Sequence, residues 1–202
     1  MTETQDHHHD DDESGGSFVI EIVKFAIIAL LVIYPVRAYV AQPYIVLGES
    51  MEPTFHEREY LIVDRLSYRF DEPERGAVII FNFPLSEKSP PERFIKRIIG
   101  LPGETIEFKN GKLFITTSGG GRFQFVESYL EFTTSGDSMA RKLGPNEYFV
   151  AGDNRPESSD SRIWGPITRD DIVGRVYLRL FPFGRVGYLP GDLRTNQSRT
   201  AN

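Results

Sequence analysis

Ser50 and Lys96 are the residues whose types and surroundings suit them for chemistry. Ser50 lies in Gly48-Glu49-Ser50-Met51-Glu52-Pro53-Thr54, and Lys96 lies in Phe94-Ile95-Lys96-Arg97. A serine hydroxyl attacks a carbonyl only after something takes its proton, and a lysine can take it only if burial keeps the amine neutral near working pH. Phe94, Ile95, Ile98 and Ile99 surround Lys96 in sequence and offer such an apolar setting. The pair is of the kind that hydrolyses peptide bonds with no metal or cofactor. A lone serine and a lone lysine would mean nothing by themselves, so the segments around them carry the weight.

The elements that must position them read as β structure. Short apolar runs bounded by turn residues recur at Tyr44 to Leu47, Tyr60 to Val63, Ala77 to Phe83, Phe94 to Ile99, Thr105 to Phe108, Leu113 to Thr116, Glu147 to Ala151 and Val173 to Phe181. Asn110-Gly111 between two of these runs predicts a tight hairpin, because both residues accept positive φ. Arg175 and Arg179 alternate with apolar residues and read as solvated charges on a strand with one wet face. Residues 117–143 turn polar and glycine-rich and are expected to form a small insertion on the main sheet. Trp164 reads as a core or membrane-edge aromatic.

Ahead of this domain, Phe18 to Val36 is apolar apart from Glu21, Lys24 and Pro35, close to the roughly 20 residues that a bilayer-crossing helix needs. The expectation is a single uncleaved transmembrane anchor over 18–40. A cleaved leader would want a basic start and small residues at its cut site, whereas the preceding residues are acidic. Residues 1–17 read as a disordered acidic tail, His7 to His9 included. Residues 41–190 form the β domain, and 191–202 a polar tail.

Composition narrows the function. A net charge of -6 with no basic stripe argues against a nucleic-acid binder. Cysteine is absent, which removes disulfides, thiolate nucleophiles and cysteine-ligated metals.

Three segments occur in fixed order: Gly48 to Thr54; Lys96-Arg97-Ile98-Ile99-Gly100-Leu101-Pro102-Gly103-Glu104; and Gly152-Asp153-Asn154-Arg155 running to Ser158-Ser159-Asp160-Ser161-Arg162. In order and spacing they resemble the three boxes of bacterial type I signal peptidases. The resemblance implies a mainly β, signal-peptidase-like domain behind one N-terminal transmembrane helix. It makes Ser50 the nucleophile, Lys96 the general base and Ser158 the hydroxyl that orients the lysine amine. Asp160 and Arg162 become an ion pair bracing that loop, with Asp153 as further support. The substrate would be the signal peptide of an exported preprotein, paired as a strand along Tyr44 to Leu47 and Arg93 to Ile95, with Ile45, Leu47, Phe94 and Ile95 as candidate pocket walls that could equally be core.

The same resemblance places the protein in the bacterial plasma membrane. The N-terminus would be cytoplasmic, the catalytic domain extracytoplasmic near the export translocon, and the partners signal peptides and lipid, with no cofactor, metal or nucleic acid. Two positions depart from the family pattern: Gly48 stands where many members carry an oxyanion-binding serine, and Ala77 where aspartate is common. Two rival readings remain. A self-cleaving repressor-type peptidase shares the dyad but would carry no anchor, and an inactive membrane-tethered peptide binder would have lost its chemistry.

Overall fold

The computed structural model describes residues 13–35, 41–84, 90–130 and 138–193. The chain divides into two units, Met1–Val40 and Ala41–Asn202. Most of the acidic head, with its histidines, and most of the polar tail fall outside the described residues.

The first unit holds helix α1, Glu13–Pro35. It starts five residues ahead of the apolar run, so the expected tail gives up its last part to the helix. A helix once nucleated gains a hydrogen bond for each residue added, which favours such extension. Its large apolar side chains from Phe18 to Ile33 are exposed. Among the described residues, no helix is long and apolar enough to cross a membrane.

The second unit is two antiparallel sheets. The larger is built from β1 (Ala41–Ile45), β2 (Tyr60–Asp64), β3 (Val78–Phe83), β4 (Glu92–Gly100), β9 (Glu147–Ala151), β10 (Ile167–Thr168) and β11 (Ile172–Phe181). Their order is β1-β2-β11-β3-β4-β9-β10, with β12 (Gly187–Tyr188) paired to β11. The smaller runs β7-β6-β5-β8, from β5 (Thr105–Lys109), β6 (Lys112–Thr116), β7 (Arg122–Phe125) and β8 (Met139–Lys142). The segment expected to be a small insertion on the main sheet supplies both flanking strands of this second sheet, β7 beside β6 and β8 beside β5. The hairpin forms as its turn residues dictate, with positive φ at both Asn110 and Gly111.

β3 and β4 sit in the interior of the sheet, and their middle residues are buried on both faces. This is why β3 opens on a continuous apolar run, Val78–Phe81, and β4 carries apolar residues on both faces around Lys96 and Arg97. Two cores lie on opposite faces. One gathers Val46, Met51, Phe55, Leu61, Val63, Val78, Ile80 and Ile95. The other gathers Ile79, Phe81, Ile98, Tyr148 and Val150, with Phe83, Phe94 and Trp164 packed against it, so of the two readings of Trp164 the core one fits its packing. A third core, centred on Ile99, Ile106, Leu113 and Phe149, joins the two sheets.

The arginines of β11 are a correction. Arg175 pairs with Asp64, and Arg179 is buried. Glu59, itself buried, lies 2.9 Å from Arg179 Nε and 2.8 Å from Arg185 Nη1, close enough to ion-pair although the donors do not point squarely at its oxygens. The sequence gives no local sign of this, because the acid lies far away on another segment.

Candidate active site

Two buried side chains position Ser50. Met51 and Phe55 are fully buried in the first core, and the Phe55 N–H donates to the Met51 carbonyl at 2.9 Å, so the turn after β1 is anchored just past the serine. Met51 therefore packs. Gly48, two residues before Ser50, has φ +80° with open space where a side chain would start.

Lys96 sits mid-strand on β4 opposite Ile79 of β3 and is 3% exposed. Its Nζ lies 2.5 Å from Ser50 Oγ, across 46 residues of sequence. When protonated the ammonium donates to that oxygen; when neutral, the amine can accept the hydroxyl proton. Burial pulls the lysine down to about 8; Asp160 and Asp153 oppose this, and Arg162 adds to it.

Alternation along β4 turns Arg97 away from Lys96. Arg97 is fully buried and grips Asp153 with two nitrogens, Nε to Oδ1 at 2.8 Å and Nη2 to Oδ2 at 2.5 Å. The same carboxylate accepts from Thr54 Oγ1 at 2.5 Å. Asp153 thus links the lysine strand to the serine loop, a more specific task than the expected support. Sequence reasoning gave Arg97 and Thr54 no role. The available signal was a charge inside a doubly buried strand, which must have an acid opposite it.

The third box closes round the same point. The Asn154 N–H donates to the Ser50 carbonyl at 3.0 Å and its Nδ2 to the Glu49 carbonyl at 3.2 Å. Asn154 is thus a tie to the Ser50 loop. Asp160 is fully buried and accepts from Gly152 N, Ser158 Oγ, and Arg162 Nε and Nη2. Burial pushes this carboxyl up, but the Arg162 bonds and charge, with those of Gly152 and Ser158, more than reverse it. Ser158 is buried beside this acid, Ser159 is exposed, and Ser161 Oγ accepts from Val150 N. Ser158 gives its proton to Asp160 at 2.8 Å, which leaves its lone pairs available as acceptors.

Gly152 shows how tightly these parts converge. A Cβ there would lie 2.2 Å from Ser158 Oγ and 2.3 Å from the Ser50 carbonyl oxygen. Gly152→Ala must displace backbone. It is expected to lower turnover by about a hundredfold, because misplacing reacting groups by about 1 Å has that effect. Initial rates and a thermal melt on the same preparation check it; a turnover near wild type would show that the loop tolerates the shift.

The four candidate wall residues separate. Ile45 and Leu47 are exposed, and Phe94 is half-buried on the Lys96 face against Phe81 and Phe83. Ile95 points to the opposite face and is core, 3% exposed beside Val78 and Ile80. The alternation of β4 removes it from the wall set. Among the described residues both expected docking edges have an unpaired side: β9 pairs β4 only from Arg97 to Gly100, and β1 pairs only with β2. The Tyr44 hydroxyl bridges them by donating to the Arg93 carbonyl at 3.2 Å.

The family model described as signal peptidase, peptidase S26, matches residues 19–181. Probable signal peptidase I-2 of Synechocystis sp. is 34% identical over 175 residues, spanning 86% of this chain and 78% of its own. Signal peptidase I P of Bacillus subtilis subsp. natto is 37% identical over 181 residues, spanning 84% of this chain and 93% of its own. A crystal structure of a signal peptidase I from Enterococcus faecalis V583 is 29% identical, with a TM-score of 0.43, over 52% of this chain and 97% of that one. The chain belongs to the signal peptidase family.

Proposed function

We propose that this protein is a serine endopeptidase that removes N-terminal signal peptides from exported preproteins, with Ser50 as nucleophile and Lys96 as general base. The contact of 2.5 Å between Lys96 Nζ and Ser50 Oγ, with the lysine buried, carries the reading. Neutral Lys96 takes the Ser50 proton as Oγ attacks the scissile carbonyl; the ammonium then returns a proton to the leaving amine, and water resolves the ester. The Ser50 N–H is the oxyanion donor available from the nucleophile itself. Gly48 contributes no hydroxyl, so any second donor lies elsewhere.

Ser158 is the acceptor that orients the Lys96 amine, a reading supported by its proton going to Asp160, which leaves its oxygen free to accept. Asp160, Arg162 and Asp153 hold the loop. The substrate enters as an extended strand between the open edges of β1 and β4, with Ile45, Leu47 and Phe94 as its apolar contacts.

Incubating the detergent-solubilised protein with several secretory preproteins and mapping the products by mass spectrometry tests this. Cuts after small residues are expected. No cleavage of any of them up to alkaline pH would favour the inactive tethered binder.

We further place the anchor in the apolar sequence run Phe18 to Val36, of which the described part of α1 is not by itself long and apolar enough to span, with the N-terminus cytoplasmic and the domain on the far side of a bacterial plasma membrane, near the translocon. Its exposed apolar side chains support this, since water tolerates such a surface poorly. The full chain is expected to float with phospholipid vesicles and a chain starting at residue 41 to stay in the soluble fraction; equal flotation of both would remove α1 as the anchor.

A further inference from the structure

The connection leaving β7, Glu127-Ser128-Tyr129-Leu130, belongs to neither sheet, yet its side chains reach the loop that carries Asp153. Glu127 accepts from both terminal nitrogens of Arg155, from Nη1 at 2.8 Å and also from Nη2. The Tyr129 hydroxyl donates to the same carboxylate at 2.8 Å. The Arg155 side chain is fully buried, and its Nε donates to the Gly152 carbonyl at 2.9 Å. The Arg97 guanidinium lies over the Tyr129 ring, 4.3 Å from its centroid.

These contacts converge on two groups the chemistry needs. Arg155 follows Asn154, whose N–H holds the Ser50 carbonyl, and it grips Gly152, which touches both Ser50 and Ser158. Arg97 holds Asp153 and, through it, Thr54 of the serine loop. Among the described residues Glu127 is the one carboxylate ion-paired with Arg155. Removing it leaves a buried cation without its ion-pair partner, Asp153 being already gripped by Arg97, and favours opening of the loop to hydrate it.

We propose that Glu127 and Tyr129 are positioning residues for the Ser50–Lys96 pair, so that the second sheet's connection completes the catalytic scaffold. This rests on the peptidase reading of that pair. An ordinary stabilising ion pair would alter melting and leave turnover alone. A positioning role predicts a loss in kcat at nearly constant KM, because these residues touch the groups that hold Ser50 and none of the proposed substrate contacts.

The test compares Glu127→Gln, Tyr129→Leu, Tyr129→Phe and the control Arg122→Gln in the full detergent-solubilised chain. Arg122 pairs with Glu107 in the same sheet, is half exposed, and makes its contacts to Glu107 and Phe114, which are not part of the loop network. Each variant is assayed for kcat and KM on a preprotein, for melting, and for the rate at which a fluorophosphonate labels Ser50. Glu127→Gln and Tyr129→Leu are expected to lower kcat and labelling by about tenfold or more, with KM within about twofold. Tyr129→Phe keeps the ring over Arg97 and should stay within about threefold of wild type, and Arg122→Gln should match wild type.

Wild-type kcat and labelling in Glu127→Gln, whatever its melting temperature, would overturn the proposal, and so would an equal loss in Arg122→Gln. Should the wild type cleave no preprotein while Glu127→Gln still slows labelling, the peptidase reading fails and the positioning role stands.

Discussion

Ser50→Ala and Lys96→Met are each expected to cut the rate of preprotein cleavage by at least about a thousandfold while leaving preprotein binding within a few-fold of wild type. Alanine removes the only atom placed to attack. Methionine keeps most of the lysine's length and apolar bulk, so the pocket stays filled, but it cannot accept the hydroxyl proton across the 2.5 Å contact. The two residues act on one proton in one step, so their effects should not add. The double variant is expected to be no slower than either single one, both being limited by what binding and oxyanion donors retain. Rates from mass-spectrometric quantification of the released peptide decide this. A Lys96→Met enzyme with more than about a tenth of wild-type activity would show that another group takes the proton.

The contact of Ser50 with Lys96 was legible because the pair's chemistry is local in type and its flanking segments are distinctive. β4, which carries Lys96, and its neighbour β3 were legible because apolar residues fall on both of their faces, as in Val78–Phe81 and in the pairs flanking Lys96-Arg97. β7 and β8 were not, because they flank the second sheet and bury almost nothing, as in Arg122–Phe125 and Met139–Lys142. β7, Arg-Phe-Gln-Phe, does alternate, but over four residues too few to announce a strand, and β8, Met-Ala-Arg-Lys, does not alternate at all.

Pairing partners were the second hidden layer. Arg97 with Asp153, Arg179 with Glu59 and Arg155 with Glu127 each join residues brought together only by the sheet order, so spacing could not reveal them. The burial of Ile95 could have been anticipated. It is one step from Lys96 on a strand, and period-2 alternation sends neighbours to opposite faces.

Activity is expected to rise with pH through a single ionisation near 8. Burial holds Lys96 at about 8 against its ordinary 10.5, so half of the enzyme carries the neutral base there, and turnover falls about tenfold for each pH unit below it. By pH 6 about a hundredth of the plateau rate remains. Stability should follow the same group with a definite sign. Between pH 8 and 10.5 the unfolded chain keeps a proton on Lys96 that the folded chain has lost, so stability rises with pH across that window. Below pH 8 the buried ammonium costs the fold its full penalty, about 3 kcal/mol at about 1.4 kcal/mol per pH unit. Lys96→Met escapes that penalty but loses the Ser50 hydrogen bond, about 1 kcal/mol, so at pH 7 it should be more stable than wild type by about 2 kcal/mol. The advantage should shrink steadily above pH 8 and vanish before pH 10.5. Denaturant melts of both proteins from pH 6 to pH 10 measure it, and a constant gap over that range would show that Lys96 is not held near 8 by the fold. Catalysis and stability pull against each other at this position: the apolar setting that makes the amine a base at pH 8 is the one that destabilises the folded domain at pH 7.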